Sequence, residues 1–347
     1  MGKRTKEDLR QMQSVPLAGK IIMTQRRIRE WYEAWDGQVY VSFSGGKDST
    51  VLLHIVREMF PDVEAVFVNT GLEYPEIQKF VKTFDNVTIL RPKMRFDEVI
   101  KTYGYPIISK EVSQNIHEAR SGGKECRAYK KFEAGSEIEQ RCNGRYSLAR
   151  HKPLLDSDIP VSHMCCMVMK KRPAKKFEKD TGKRPIVATM ASESNLRTTE
   201  WLNSGCNSFD GKRQISKPMS FWTEQDVLQY IKENNIPVAS VYGDVVEIGE
   251  DGLEYENNLF GTVAGQLKTT GCDRTGCVFC GFGCHLEKGE SRFQRLKHSH
   301  PRQYAYCING GEYDEAGVWK PNKAGLGMGH VFDELNKIYG DDFIRYK

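Results

Sequence analysis

The chain has 347 residues, enough to bury a large core in one main domain with appendages. Its formal charge of +5 suits an anionic ligand but is too small, taken alone, to argue for nucleic acid. No apolar run of about 18 residues occurs, so no transmembrane helix is predicted. The opening Met-Gly-Lys-Arg-Thr-Lys-Glu leads into no apolar stretch, which gives no signal peptide and an expected cytoplasmic location.

Residues 1–15 are polar and are expected to be loose. From Pro16 to Trp35 apolar residues (Leu17, Ile21, Ile28, Trp31) recur at helical spacing, which predicts an amphipathic helix. Val39 to Phe43 is a β-branched and aromatic run, so a buried strand is expected. Ser44, Gly45 and Gly46 break it, and Asp48, Ser49 and Thr50 are N-cap types opening a buried helix. Further strands are predicted at Val63–Asn69 and Val87–Leu90, with helices at Glu76–Phe84 and Phe96–Tyr103. Strands alternating with helices imply a parallel sheet, with ligands at the carboxyl ends of its strands, where Ser44 and Thr70 both lie.

Ser109–Arg120 reads as a helix that begins a basic, Gly- and Arg-rich insertion over residues 110–160. Its charge run (Lys130, Lys131, Arg141, Arg145, Arg150, Lys152) is either a solvated face or an electropositive cover over a phosphorylated ligand. Residues 184–190 are a further strand, followed by the polar loop Ala191–Arg197. Thr223, with Asp226 three residues on, caps a helix running from Glu224 to Asn234. Residues 243–270 form a Gly- and acid-rich loop or hairpin, and Val331–Tyr339 is the closing helix.

Two stretches carry chemistry. A strand, a glycine turn and a helix point free backbone N–H groups at an anion. Gly45 and Gly46 let the main chain approach phosphate, Lys47 adds a point charge, and Ser44, Ser49 and Thr50 add hydroxyls. The stretch is not a Walker A loop, because Asp48 follows Gly46-Lys47 and position 41 is Val. The second stretch is built on the ten cysteines, which in a reducing compartment point to metal or catalysis rather than disulfides. Cys272, Cys277, Cys280 and Cys284 fall within thirteen residues, and Cys165 and Cys166 are adjacent. One ligand set is local (Cys272, Cys277, Cys280, Cys284), for zinc or an iron–sulfur cluster. The other joins Cys165 and Cys166 to Cys277 and Cys280, and suits a cluster better than a single ion because adjacent side chains diverge. Cys126, Cys142, Cys206 and Cys307 are expected to be small apolar residues.

Ser44-Gly-Gly-Lys-Asp-Ser49 resembles the pyrophosphate-binding loop of the PP-loop ATP pyrophosphatases. Cys165-Cys-Met-Val-Met-Lys-Lys-Arg-Pro173 resembles the Cys-Cys-x-x-Arg-Lys segment of assimilatory adenylyl-sulfate reductases, with Met169 in place of Arg. Ser192-Glu-Ser-Asn-Leu-Arg197 resembles their Glu-Ser-x-x-Arg loop, and Gly276-Cys-Val-Phe-Cys280 their Gly-Cys-x-x-Cys. From about residue 39 to 281 the chain therefore resembles the phosphoadenosine phosphosulfate (PAPS) reductase family.

The resemblance implies an α/β fold with a Rossmann-like parallel sheet of PP-loop type, a basic insertion and a C-terminal cysteine-rich metal-binding region. Residues 1–37 would be a helical lead-in, 38–240 the nucleotide-binding domain and 241–347 the cysteine-rich region. It implies a [4Fe-4S] cluster on Cys165, Cys166, Cys277 and Cys280 with Lys170 nearby, zinc being the alternative. ATP or PAPS would bind at Ser44, Gly45, Gly46, Lys47, Asp48, Ser49 and Thr50, with Glu193 and Arg197 at its anionic part. Lys47, Asp48, Lys170 and Arg197 are the catalytic candidates, and Asp48 either caps the helix or helps hold Mg²⁺.

Two departures from the family pattern matter. No cysteine follows Cys307, where the reductases carry a nucleophilic tail cysteine, and Lys47 is a feature of ATP-cleaving relatives. The alternative function is thus an ATP pyrophosphatase-type sulfurtransferase that adenylylates tRNA, DNA or a small molecule before thiolation. A non-catalytic nucleotide-binding module is the third reading. Expected partners are the adenine nucleotide and a thiol reductant or sulfur-donor protein. Nucleic acid enters through the basic insertion, and no membrane is expected.

Overall fold

The computed structural model describes residues 4–137, 147–210, 213–249, 254–255 and 265–347. Arg141, Cys142 and Arg145 lie outside the described residues. The chain forms two compact units, one of residues 1–69, 73–91 and 173–275, the other of 70–72, 92–172 and 276–347.

A six-stranded sheet is the frame of the first unit. From edge to edge its strands are Val87–Leu90, Glu64–Val68, Val39–Ser42, Arg184–Ile186, Ile215–Ser216 and Asn207–Ser208. All neighbours pair in parallel except the last two, which are antiparallel. Val39, Tyr40 and Val41 are buried on both faces, as the unbroken β-branched and aromatic run predicts for a central parallel strand. The helix Lys47–Met59 packs on that strand through a continuous apolar run, Val51–Leu53 with Ile55 and Val56. Burying each such aliphatic side chain contributes roughly 1.5–3 kcal/mol.

The helix Leu17–Ala34 closes this layer. Its buried Lys20 Nζ donates to both carboxylate oxygens of Asp226 at 2.8 and 2.6 Å. Trp222 Nε1 donates to Thr24 Oγ1 at 2.8 Å, so the helix is held by polar contacts as well as by Ile28 and Trp31. Asp226 also accepts from the Thr223 backbone in the expected capping box of the helix Glu224–Glu233.

Several elements differ from expectation. The N-terminal segment is not loose: Lys6–Ser14 is helical, started by a Thr5–Asp8 capping box and anchored by buried Leu9. The strand after residue 184 ends at Ile186, and the polar stretch 191–197 is a 3₁₀ turn that runs into a helix, Asn195–Ser204, capped by Ser194. The segment after Gly243, by contrast, takes the hairpin form expected of it, with Val245–Ile248 pairing antiparallel with Gln266–Thr269 and Glu254–Tyr255.

The second unit is mainly helical. Phe96–Tyr103 and Lys110–Gly122 flank Ile107–Ile108, which pairs in parallel with Gly281–Phe282. Arg292–Ser299, Pro301–Ile308 and the closing helix, which starts earlier than expected at Met328 and ends at Tyr339, pack through Phe293, Leu296, Phe332 and Leu335. Arg120 donates to the carbonyls of Leu154, Leu155, Ser157 and Ile159, so one guanidinium organises the turn that ends the basic insertion. Among the described residues no helix is long and apolar enough to cross a membrane.

Candidate functional site

In the first unit the glycine turn follows the central strand directly. Gly45 adopts φ +72°, and a Cβ there would lie 2.7 Å from Val81 Cγ2 and 2.8 Å from Ile77 Cγ2. Only glycine meets both the left-handed backbone and the close approach. The helix begins at Lys47 with Gly46 as its N-cap in extended conformation, and no side chain caps it. Asp48, Ser49 and Thr50 therefore lie two to four positions past the N-cap their residue types prefer. The Ser49 and Thr50 hydroxyls donate instead to the Gly46 carbonyl at 2.9 and 3.1 Å, and Ser49 Oγ accepts from the Ser44 amide at 3.1 Å. The Lys47 amide donates to the Tyr242 hydroxyl at 3.2 Å, while those of Asp48 and Ser49 have no acceptor among the described residues. Unpaired amides at the positive end of a thirteen-residue helix are an anion site by construction.

Lys47 is only 2% exposed. Its Nζ donates to the Asp273 carbonyl at 2.8 Å and lies 3.0 Å from Glu224 and 3.6 Å from Asp48. Tyr242, whose ring centre is 5.7 Å from that ammonium, bonds the Thr275 hydroxyl at 2.6 Å. Burial pushes the Asp48 carboxyl up, against the pull of Lys47 and Arg274, and Asp48 Oδ1 is shielded from solvent with no hydrogen-bond partner. An unsatisfied buried carboxylate oxygen calls for a proton, a cation or a ligand donor.

Glu193 and Arg197 come together as an i,i+4 ion pair, and Arg274 Nη1 is 3.7 Å from the other Glu193 oxygen. Burial, with Arg274 adding to it, pushes the Arg197 guanidinium down. Asp273, Arg274, Thr275 and Tyr242 were not singled out by sequence. Their signal was faint: Arg274 stands two residues before Gly276-Cys277, with nothing local to tie it to a loop more than 200 residues earlier.

In the second unit Cys165 and Cys166 open a helical segment that passes through a π turn, Met167–Lys171, carrying Lys170. Such turns recur at functional sites. The neighbouring Cys166, burial, Cys277 and Cys280 push the Cys165 thiol up, while Cys165, with Lys110 and Lys170 assisting, pushes the Cys166 thiol down. Cys165 thus lies within electrostatic reach of Cys166, Cys277 and Cys280. Lys110 was not anticipated; it follows the Ile107–Ile108 strand, whose pairing with Gly281–Phe282 brings the chain against the Cys277–Cys280 turn. A Cβ at Gly281 would be 2.7 Å from the Pro106 carbonyl. Arg292, paired with Glu287 at 2.7 Å, donates to the Cys280 carbonyl at 3.0 Å and fixes the turn.

Cys284 is buried and its thiol donates to the Gly281 carbonyl at 3.0 Å; burial pushes it up to about 12. It behaves as a small hydrogen-bonded apolar residue. Cys272 belongs to the first unit, Cys126 accepts from the Tyr129 amide, Cys206 is buried, and Cys307 is fully buried against the Met328 sulfur. Among the described residues no three His, Cys, Asp or Glu side chains converge on a single metal position. Of the basic run, Lys130 pairs with Glu125 at 3.6 Å and Lys152 with Asp156 at 2.6 Å.

Comparison with known proteins agrees in part with these features. An uncharacterized protein of Methanocaldococcus jannaschii is 36% identical over 87 residues, 23% of this chain and 21% of that protein. Adenosine 5'-phosphosulfate reductase of Bacillus cereus is 30% identical over 79 residues, 21% of this chain and 34% of its own. The enzyme of that name from Staphylococcus haemolyticus is 21% identical over 221 residues, 62% of this chain and 70% of its own. The matches to the first two thus cover between about a fifth and a third of those relatives. A crystal structure of phosphoadenylyl-sulfate (PAPS) reductase from Candida auris, in complex with phosphate, aligns over 68% of this chain and 90% of its own at 13% identity, with a TM-score of 0.35. The profile of the phosphoadenosine phosphosulfate reductase domain matches residues 38–281, well over half of the sequence, and the chain belongs to that family.

Proposed function

We propose that this chain is an adenine-nucleotide-dependent enzyme of sulfur chemistry that binds ATP or PAPS at the Ser44–Thr50 loop. The observation that carries the reading is the uncapped start of the helix Lys47–Met59, with the Asp48 and Ser49 amides unpaired and Lys47 beside them. Phosphate oxygens would take those amides and the Ser44 and Ser49 hydroxyls. Lys47 would exchange its contact with partly exposed Glu224 for a phosphate oxygen and offset charge developing at the cleaved bond. Asp48, with its unsatisfied oxygen, would help hold a Mg²⁺, which would offset phosphate charge.

Cys165, Cys166, Cys277 and Cys280 would hold a four-iron cluster, which would supply an electron-rich metal centre. The adjacent Cys165 and Cys166, whose side chains diverge, suit a cluster better than a single zinc ion, and Lys110 and Lys170 near Cys166 would offset thiolate charge.

A second reading, adenylylation of a substrate with pyrophosphate release before thiolation, is favoured by Lys47, because a triphosphate needs that extra positive charge more than a sulfonucleotide does. Cys307 is fully buried with its thiol pushed well up, which disfavours it as an attacking thiolate. The two readings separate in one assay: pyrophosphate released from ATP in the presence of candidate acceptors, against sulfite released from PAPS with thioredoxin. Sulfite without pyrophosphate sinks the second reading, and pyrophosphate without sulfite sinks the reductase. Activity unaffected by Lys47→Ala would favour a non-catalytic module.

A further inference from the structure

We propose that Arg274 is a nucleotide-binding residue that works with Arg197, taking the anionic group of the ligand that extends beyond the glycine loop. The inference rests on the reading that the loop holds a nucleotide, and it adds a residue that no resemblance assigns.

Three observations converge. The first is tethering. Asp273 supplies the carbonyl that holds Lys47 Nζ at 2.8 Å, and Thr275 bonds the Tyr242 hydroxyl at 2.6 Å, which in turn accepts from the Lys47 amide at 3.2 Å. Arg274 therefore stands between two residues already fastened to the loop, and its backbone has little freedom to leave.

The second is charge. Glu193 is largely buried, at 12% side-chain exposure, and is fixed by the Met190 amide donating to Oε2 at 3.1 Å. It carries Arg197 on one oxygen and Arg274 on the other. One carboxylate is thus shared between two guanidiniums, with Glu200 and Asp48 the further carboxylates acting on Arg197. Arg274 reaches the loop electrostatically: it pulls against the burial that pushes the Asp48 carboxyl up, and it adds to the burial that pushes the Arg197 guanidinium down.

The third is free donors. Arg274 is 54% exposed, its contact with Glu193 at 3.7 Å is longer than a hydrogen bond, and its guanidinium makes no hydrogen bond among the described residues. A planar fork with open N–H groups, next to a second arginine, matches a tetrahedral phosphate or sulfate bidentately. The ligand class is a nucleoside 5'-polyphosphate or 5'-phosphosulfate, both of which carry a second anionic group beyond the α-phosphate. AMP does not.

The test is calorimetric titration of the full chain and of Arg274→Gln with ATP, PAPS and AMP. The expected result is a loss of roughly 10- to 100-fold for whichever of ATP and PAPS the wild type binds, with AMP changed less than about twofold. Should Arg274→Gln fail to fold, Arg274→Lys keeps the charge without the fork, and a loss of about tenfold is expected. Unchanged ATP and PAPS binding in the variant overturns the role of Arg274 alone. An equal loss for AMP also overturns it, because the residue would then be structural. A wild type that binds none of the three overturns the nucleotide reading itself.

Discussion

Replacing Gly45 with alanine tests whether the loop is held in the conformation described. The residue sits at φ +72°, where an L side chain costs roughly 1–2 kcal/mol. Its new methyl would be 2.7 Å from Val81 Cγ2 and 2.8 Å from Ile77 Cγ2, both short branches on the helix Pro75–Val81 that cannot swing away. Relieving such overpacking costs about 1–3 kcal/mol more. The sum, roughly 2–5 kcal/mol, corresponds to a fall in unfolding midpoint of about 5–15 °C for a unit of this size. Gly46→Ala is the control. Its φ is −77°, and the nearest atoms to its methyl would be the Ser44 and Tyr242 hydroxyls at 3.2 Å and that of Thr275 at 3.4 Å, contacts relieved by shifts of a few tenths of an ångström. Its midpoint should fall by less than about 3 °C. Thermal melts of both variants by far-ultraviolet circular dichroism decide the matter. A Gly45→Ala midpoint within a degree of wild type would refute the reasoning, because neither the left-handed turn nor the contact with Ile77 and Val81 could then be real.

Other consequences are as direct. Lys20→Met leaves buried Asp226 without its partner and should destabilise the chain by about 3–5 kcal/mol in urea, while adding Asp226→Asn should recover part of the loss. Cys284→Ala should leave the iron content of anaerobically purified protein unchanged, since that thiol donates to Gly281, whereas Cys280→Ser should lower it; loss of iron in both would return Cys284 to the ligand set. Burial, with Arg150 and His285 nearby, pushes His151 down from 6.5 to about 4. The unfolded chain therefore takes up a proton as pH falls through 6.5 while the folded chain does not. This stability is complete above that value and lost progressively down to about 4, so the urea midpoint should drop more between pH 7 and pH 5 in wild type than in His151→Gln. Equal drops would contradict it.

The parallel α/β character and the strand–loop–helix around Gly45 were legible because local signals agree there. A β-branched run ends in glycines, and an apolar helix follows. The Thr223 cap was legible for the same reason. The helix Lys6–Ser14 was missed although Thr5 and Asp8 spell a capping box, because only Leu9 in it is buried and apolar periodicity was the guide. The helix Asn195–Ser204 was missed because its polar face dominates and only Trp201 is buried. The neighbours of the loop were not legible at all. Tyr242, Asp273 and Thr275 reach it through the fold of the chain, not through any spacing, and the same is true of Lys110 beside Cys166. The spacing of Cys284 from Cys280 left it open as a ligand, and its hydrogen bond to Gly281 depends on a turn that spacing does not reveal.

The measurement that bears most directly on this account is calorimetric titration of the wild type and of Gly46→Ala with ATP and with PAPS. The account predicts saturable binding of at least one of them to the wild type, and a loss of at least about tenfold when a methyl enters the mouth of the loop. No heat with either nucleotide, or the same affinity in Gly46→Ala, would contradict it.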